Sequence, residues 1–119
     1  MKKPSQLKVS ARWNRDRATM VLRGELDIVS EPQAQRCLAG ILSQNPSRLV
    51  MDLSGLTFMG SQGLTLIARA HHDLPAGRDL IIRGASPSIR RMLAITGIDQ
   101  VCIIDGQQLP PAPGAASIA

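Results

Sequence analysis

Apolar and polar residues alternate from Leu7 to Trp13, with Leu7, Val9, Ala11 and Trp13 on one side, which predicts a half-buried strand. Asn14-Arg15-Asp16-Arg17 reads as a hairpin turn, and Ala18 to Arg23 as the returning strand, broken by Gly24. Ser30-Glu31-Pro32-Gln33 is a helix start: Ser30 can cap, Pro32 tolerates an early helical position, and Gln33 completes a capping-box pattern. Ala34, Cys37, Leu38, Ile41 and Leu42 follow at helical spacing, and Asn45-Pro46-Ser47 stops that helix. Arg48 to Leu53 is the most apolar strand, because Leu49, Val50 and Met51 run without alternation. A second helix covers Gln62 to Asp73, with Leu64, Leu66, Ile67 and Ala70 facing the core, and ends at Pro75-Ala76-Gly77. Asp79 to Arg83 is a fourth strand. Ser86-Pro87 opens a third helix that carries Ile89, Met92, Leu93 and Ile95 and stops at Gly97; Val101 to Ile104 is a last short strand. The order β-β-α-β-α-β-α-β predicts a mixed α/β fold, a sheet of about five strands with at least three helices on it.

At 119 residues the chain suits one domain, and its 44% apolar content supplies a core of Leu, Ile, Val and Met, with Trp13 and Phe58 the only aromatics. Residues 7–105 form that domain, between a flexible N-terminus (1–6) and a flexible tail (106–119) with three prolines. No segment approaches the roughly 20 apolar residues of a membrane span. The basic start Met1-Lys2-Lys3-Pro4 leads into no apolar region, so it predicts no secretory signal, and a cytoplasmic location is the expectation. Cys37 and Cys102 sit in apolar stretches without a second ligand at metal spacing, which predicts buried free thiols, no disulfide and no metal. The net charge is +5, concentrated where Lys2, Lys3, Lys8, Arg12, Arg15 and Arg17 face only Asp16. Without aromatics to stack bases or a recognised motif, this predicts a solvated basic face able to steer an acidic protein partner, with no direct nucleic-acid binding.

The most informative segment is Val50 to Leu64. An apolar run ends at Asp52, a loop follows, and Ser61 then opens a helix as its N-cap. The free N–H groups and the macrodipole at such an end can hold a phosphate or a partner's carboxylate. Asp52-Leu53-Ser54-Gly55-Leu56-Thr57-Phe58-Met59 with Ser61, Gly63 and Leu64 resembles the signature of STAS domains of the bacterial anti-sigma factor antagonist type. Gly24-Glu25-Leu26-Asp27, Ser86-Pro87-Ser88-Ile89-Arg90-Arg91-Met92-Leu93 and Thr96-Gly97 resemble the same family, so the likeness spans about residues 7 to 105.

The resemblance implies the STAS fold, no enzyme activity and no cofactor. It also implies a protein that binds an anti-sigma factor of the Ser/Thr kinase type and so releases a sigma factor for transcription. The other roles it leaves open are a STAS subunit of an ABC lipid transporter or a member of a stress-sensing scaffold. In the family the loop usually reads Met-Asp-Ser-Ser/Thr-Gly-Leu, and the hydroxyl residue before the glycine receives phosphate from the kinase. Here the usual aspartate is Gly60 and the usual acceptor is Gln62, whose amide has no hydroxyl to phosphorylate. Losing the carboxylate predicts a less acidic, more mobile loop. The expected partner-binding residues are Asp27, Ser30, Thr57, Met59, Gly60, Ser61, Gln62, Gly63 and Ser86. Ser61 is either a helix cap alone or a substitute phosphate acceptor. Gln62 is either a solvent-facing filler or a partner contact. Asp27 either touches the partner or shapes the approach to Ser30; Phe58 and Met59 are either partner anchors or inward-packed. Catalysis finds no footing: adjacent His71 and His72 diverge by about 100° on a helix and cannot share a metal. The sequence leaves the oligomeric state open.

Overall fold

The computed structural model describes residues 6–105. The tail expected at 106–119, and the N-terminal segment apart from Gln6, lie outside the described residues. Strands β1 (Lys8–Asn14) and β2 (Arg17–Leu26) form the hairpin, followed by α1 (Glu31–Leu42), β3 (Arg48–Met59), α2 (Ser61–Asp73), β4 (Asp79–Arg83), α3 (Pro87–Thr96), a 3-10 turn at Ile98–Gln100 and β5 (Ile103–Asp105). The sheet runs in the order β1-β2-β3-β4-β5; β1 is antiparallel to β2, and the remaining pairs are parallel. This is the mixed sheet with three helices that the element order predicts.

All three helices pack on one face. Ala18, Met20 and Leu22 of β2, Leu49, Met51 and Leu53 of β3, and Leu80 and Ile82 of β4 share one core with Ala34, Leu38 and Ile41 of α1, Leu66, Ile67 and Ala70 of α2, and Ile89 and Leu93 of α3. Each of those fully buried leucines or isoleucines contributes about 2 kcal/mol by leaving water. The alternate strand residues point the other way. Val21 and Val50 are 6% and 7% exposed yet stand outside that core, on a face that no helix covers.

Several sequence expectations need correction. Gly24 does not end β2; it sits inside the strand at φ 97°, a conformation that glycine adopts without strain. The strand β3 does not stop at Leu53 but runs to Met59, and the pairing with β2 slips twice, opposite Leu22 and again before Phe58. Each slip is a bulge that places one extra β3 residue against β2, so Ser54 and Gly55 bend a strand instead of ending it. Ala11 and Trp13 lie on the helix side by register but are exposed, because β1 is the edge strand. Ile95 is also exposed: the buried stripe of α3 follows Ile89 and Leu93, four residues apart. Cys37 and Cys102 are half-buried free thiols, not fully buried ones. Desolvation raises both pKa values, Cys102 to about 11 with Asp99 adding to the shift.

Candidate functional site

Two strand-to-helix junctions meet at the C-terminal end of the parallel strands. Register brings Glu25 beside Phe58 and Leu26 beside Met59, and Gly60 N donates to Leu26 O at 3.0 Å. Thr57 Oγ1 donates to Gly24 O at 3.1 Å. The structure therefore unites the Asp27 loop and the Gly60 segment.

The first junction is polar. Asp27 Oδ1 accepts from Val29 N and Ser30 N, both at 3.0 Å, and Glu31 N donates to Asp27 O at 2.9 Å. That makes Asp27 the working cap of the first turn. Ser30 occupies the formal cap position of α1 but its side chain caps nothing there, so the expected capping box does not form, and Gln33 Nε2 instead donates to Leu7 O at 3.2 Å. The Ser30 hydroxyl is 1% exposed; it accepts from Asp27 N at 3.0 Å, and the nearest acceptor for its one proton is Glu25 O at 2.8 Å. Ser30 is consequently an internal brace of the loop, turned away from solvent. With the polar groups turned inward, Ile28 and Val29 stand out at 72% and 51% exposure.

The second junction is steric. Because β3 reaches Met59, the only linker is Gly60, which is the extended N-cap residue (φ −84°, ψ −172°). Ser61 is therefore the first helical residue and not the cap; it is exposed. Gly63 is buried: a Cβ there would collide with Cγ and Sδ of Met59. Met59 is 7% exposed and packs inward, whereas Phe58 is 53% exposed. Of the two candidate anchors, Phe58 faces solvent and Met59 packs inward against Gly63. The Gln62 amide folds back over the junction, with Oε1 2.6 Å from where a Gly60 Cβ would stand. A side chain at position 60 would therefore have to displace the Gln62 amide.

A groove of about 190 Å³ opens beside this junction, lined by Leu56, Thr57, Phe58, Met59, Ser86, Ser88 and Ile89. Ser86 Oγ caps α3 by accepting from Ile89 N at 3.3 Å and lies 3.2 Å from Ser88 Oγ. Asp52 anchors the start of the bulged segment through bonds from Ser54 N (3.0 Å) and Ser54 Oγ (2.7 Å). Burial works to raise the Asp52 pKa, but those bonds and the Arg83 and Arg23 charges outweigh it and hold the carboxyl below its ordinary value.

Sequence reasoning missed Ile28 and Val29. The available signal was two β-branched apolar residues between Asp27 and Ser30, where a turn is ordinarily polar. His71 and His72 are both exposed near the C-terminus of α2, the opposite end of the helix from this junction. Among the described residues, no group of three or more His, Cys, Asp or Glu could hold a metal, and no helix is long and apolar enough to cross a membrane.

The chain is similar to the anti-sigma-F factor antagonist RsfB of Mycobacterium tuberculosis, 24% identical over 100 residues that cover 84% of this chain and 82% of the relative. In structure it resembles an anti-sigma factor antagonist from Mycobacterium paratuberculosis (TM-score 0.81, 24% identity, 97% of each chain). It also resembles the Bacillus cell fate determinant SpoIIAA in its phosphorylated form (TM-score 0.65, 20% identity, 92% of this chain and 98% of that one). The family model described as STAS domain matches residues 9–107, well over half of the chain. With its fold, its motifs and this match in agreement, the chain belongs to the STAS domain family.

Proposed function

We propose that this protein is a cytoplasmic anti-sigma factor antagonist that acts by binding an anti-sigma factor of the kinase type, thereby releasing a sigma factor for transcription. The observation that carries the reading is the exposure of Ile28, Val29 and Phe58 on the two paired segments that lead into α1 and α2. An exposed aromatic with β-branched neighbours is the kind of surface that anchors a protein interface. The names of the similar proteins point the same way.

In this reading Thr57, Ser61, Gln62 and the groove beside Ser86 form the contact surface. Asp27, Ser30, Met59, Gly60 and Gly63 hold it in shape. Gln62 accepts no phosphate, so the antagonist stays competent, and Ser61 is exposed at the neighbouring position. Binding of the purified chain to an anti-sigma kinase encoded beside it, measured by titration calorimetry, tests the proposal. Phe58→Asp is expected to weaken binding at least tenfold, about 1.4 kcal/mol. Gln62→Ser is expected to become a substrate for the same kinase with ATP. A chain that ignores the kinase but binds a transporter ATPase, or co-assembles with larger STAS proteins, would replace this reading with transport or scaffolding.

A further inference from the structure

The open face of the sheet is divided by charge. On its β3–β5 side the cations are compensated across strands: Arg48 pairs with Asp79 at 3.5 Å and Arg83 with Asp105 at 3.4 Å. On its β1–β2 side they are less so: Asp52, opposite Val21, feels the Arg23 charge but forms no ion pair with it. Lys8 and Arg23 are direct cross-strand partners, an opposition of like charges that works against pairing, and Arg12 joins them on the same face. No ion pair to Lys8, Arg12 or Arg23 occurs among the described residues. Together with Ser10 and Val21 these three cations line a shallow depression of about 330 Å³. Gly55 supports the arrangement: a Cβ there would stand 2.7 Å from Arg23 Cγ, so the arginine stem lies across the glycine.

We propose that this face is a second docking surface, and that its occupant is an extended acidic segment of a protein partner laid along β1. Edge position and charge both specify that occupant. Among the described residues β1 pairs only with β2, so its outer ladder can take a further strand. Lys8 and Arg12 stand about 13 Å apart along it, a spacing that carboxylates on one face of an added strand reproduce. Nucleic acid is a poorer fit, because Trp13 lies on the opposite side of the sheet by register and the depression has no aromatic platform. A lipid surface is also a poorer fit: the exposed large apolar side chains Ile28, Val29, Phe58, Ile95 and Val101 belong to other parts of the molecule, and Ile103, on the same face, stands at the far β5 edge. The surface is distinct from the Phe58 segment and does not depend on what that segment binds.

The test uses the full chain and a fluorescein-labelled deca-glutamate peptide, followed by anisotropy. The peptide is expected to bind more weakly as salt rises, and Lys8→Gln with Arg23→Gln to lower affinity about tenfold. The charge-matched control, Arg69→Gln with Arg91→Gln, removes exposed cations from α2 and α3 and is expected to change affinity less than about twofold. Amide shifts on binding are expected in residues 8–12 and 19–23. Lys8→Glu sharpens the test without risk to folding: it should abolish peptide binding and raise the melting temperature by roughly 2 °C by giving Arg23 an opposite charge. Equal losses in both charge-matched pairs would overturn the proposal, as would absence of binding. So would tighter binding of oligothymidine or phosphatidylserine vesicles than of the peptide.

Discussion

The two junctions at the C-terminal end of the sheet solve the same problem, turning a strand into a helix, with different physics. Between β2 and α1 the turn is held by directional bonds: Asp27 caps, and the buried Ser30 hydroxyl bridges Asp27 N and Glu25 O. Between β3 and α2 it is held by shape, with one extended glycine and a second glycine pressed against Met59. A bonded turn leaves its apolar residues free to point outward, so Ile28 and Val29 become available surface. A packed turn has little tolerance for added volume but does not rely on any particular polar side chain.

That contrast can be broken at its most sensitive point first. Gly63→Ala should destabilise the protein by about 3 kcal/mol, read as a lower urea midpoint, because the methyl group enters space held by Met59 in a packed core. Pairing it with Met59→Ala should cost less than the sum of the two single changes, since the smaller side chain yields the space. On the bonded side, Ser30→Ala should cost about 2 kcal/mol by orphaning Glu25 O and Asp27 N. Asp27→Ala should cost about 1 kcal/mol, the value of a lost cap. A double-mutant cycle of the last two should be strongly non-additive, because Ser30 and Asp27 bond each other.

Acid offers a gentler probe of the bulge leading into the packed junction. The folded Asp52 carboxyl titrates below its ordinary value of 3.8, so its contribution is complete above that pH and fades as the pH falls through the folded value. Asp52→Asn should flatten that part of the stability–pH curve measured by thermal melts. The smallest effect belongs to Ser61→Ala, at no more than about 0.5 kcal/mol, because Ser61 is an exposed first-turn residue and not a cap.

What the sequence reveals follows from where its punctuation is unambiguous. Gly77 and Gly84 frame β4, so Asp79–Arg83 is legible to the residue, and Ser86-Pro87 with Gly97 delimits α3 equally well. The bulged half of β3 is illegible for the same reason. Ser54-Gly55 is turn chemistry by composition, and only the partner strand β2 converts it into bent sheet. Two bulges also reset the side-chain alternation, which is why no periodicity argument could decide that Phe58 points out and Met59 in. The role of Ser30 hides in a similar way: a serine before Glu-Pro looks like a cap, and its burial against Glu25 O depends on where β2 ends. The open sheet face is hard to read from local patterns, since Val50 sits in the unbroken apolar run Leu49-Val50-Met51 and reads as core until the helices are known to lie on one side.

The order of the sheet has a consequence for how the chain assembles. Every strand lies beside the one that precedes it in sequence, from β1 through β5. No late strand must insert between two that are already paired, and each loop closure is short compared with the whole chain. The sheet can grow outward from the β1–β2 hairpin in the order in which residues leave the ribosome. At every stage the newest strand is the growing edge, and each helix that follows it seals the next portion of a single hydrophobic layer.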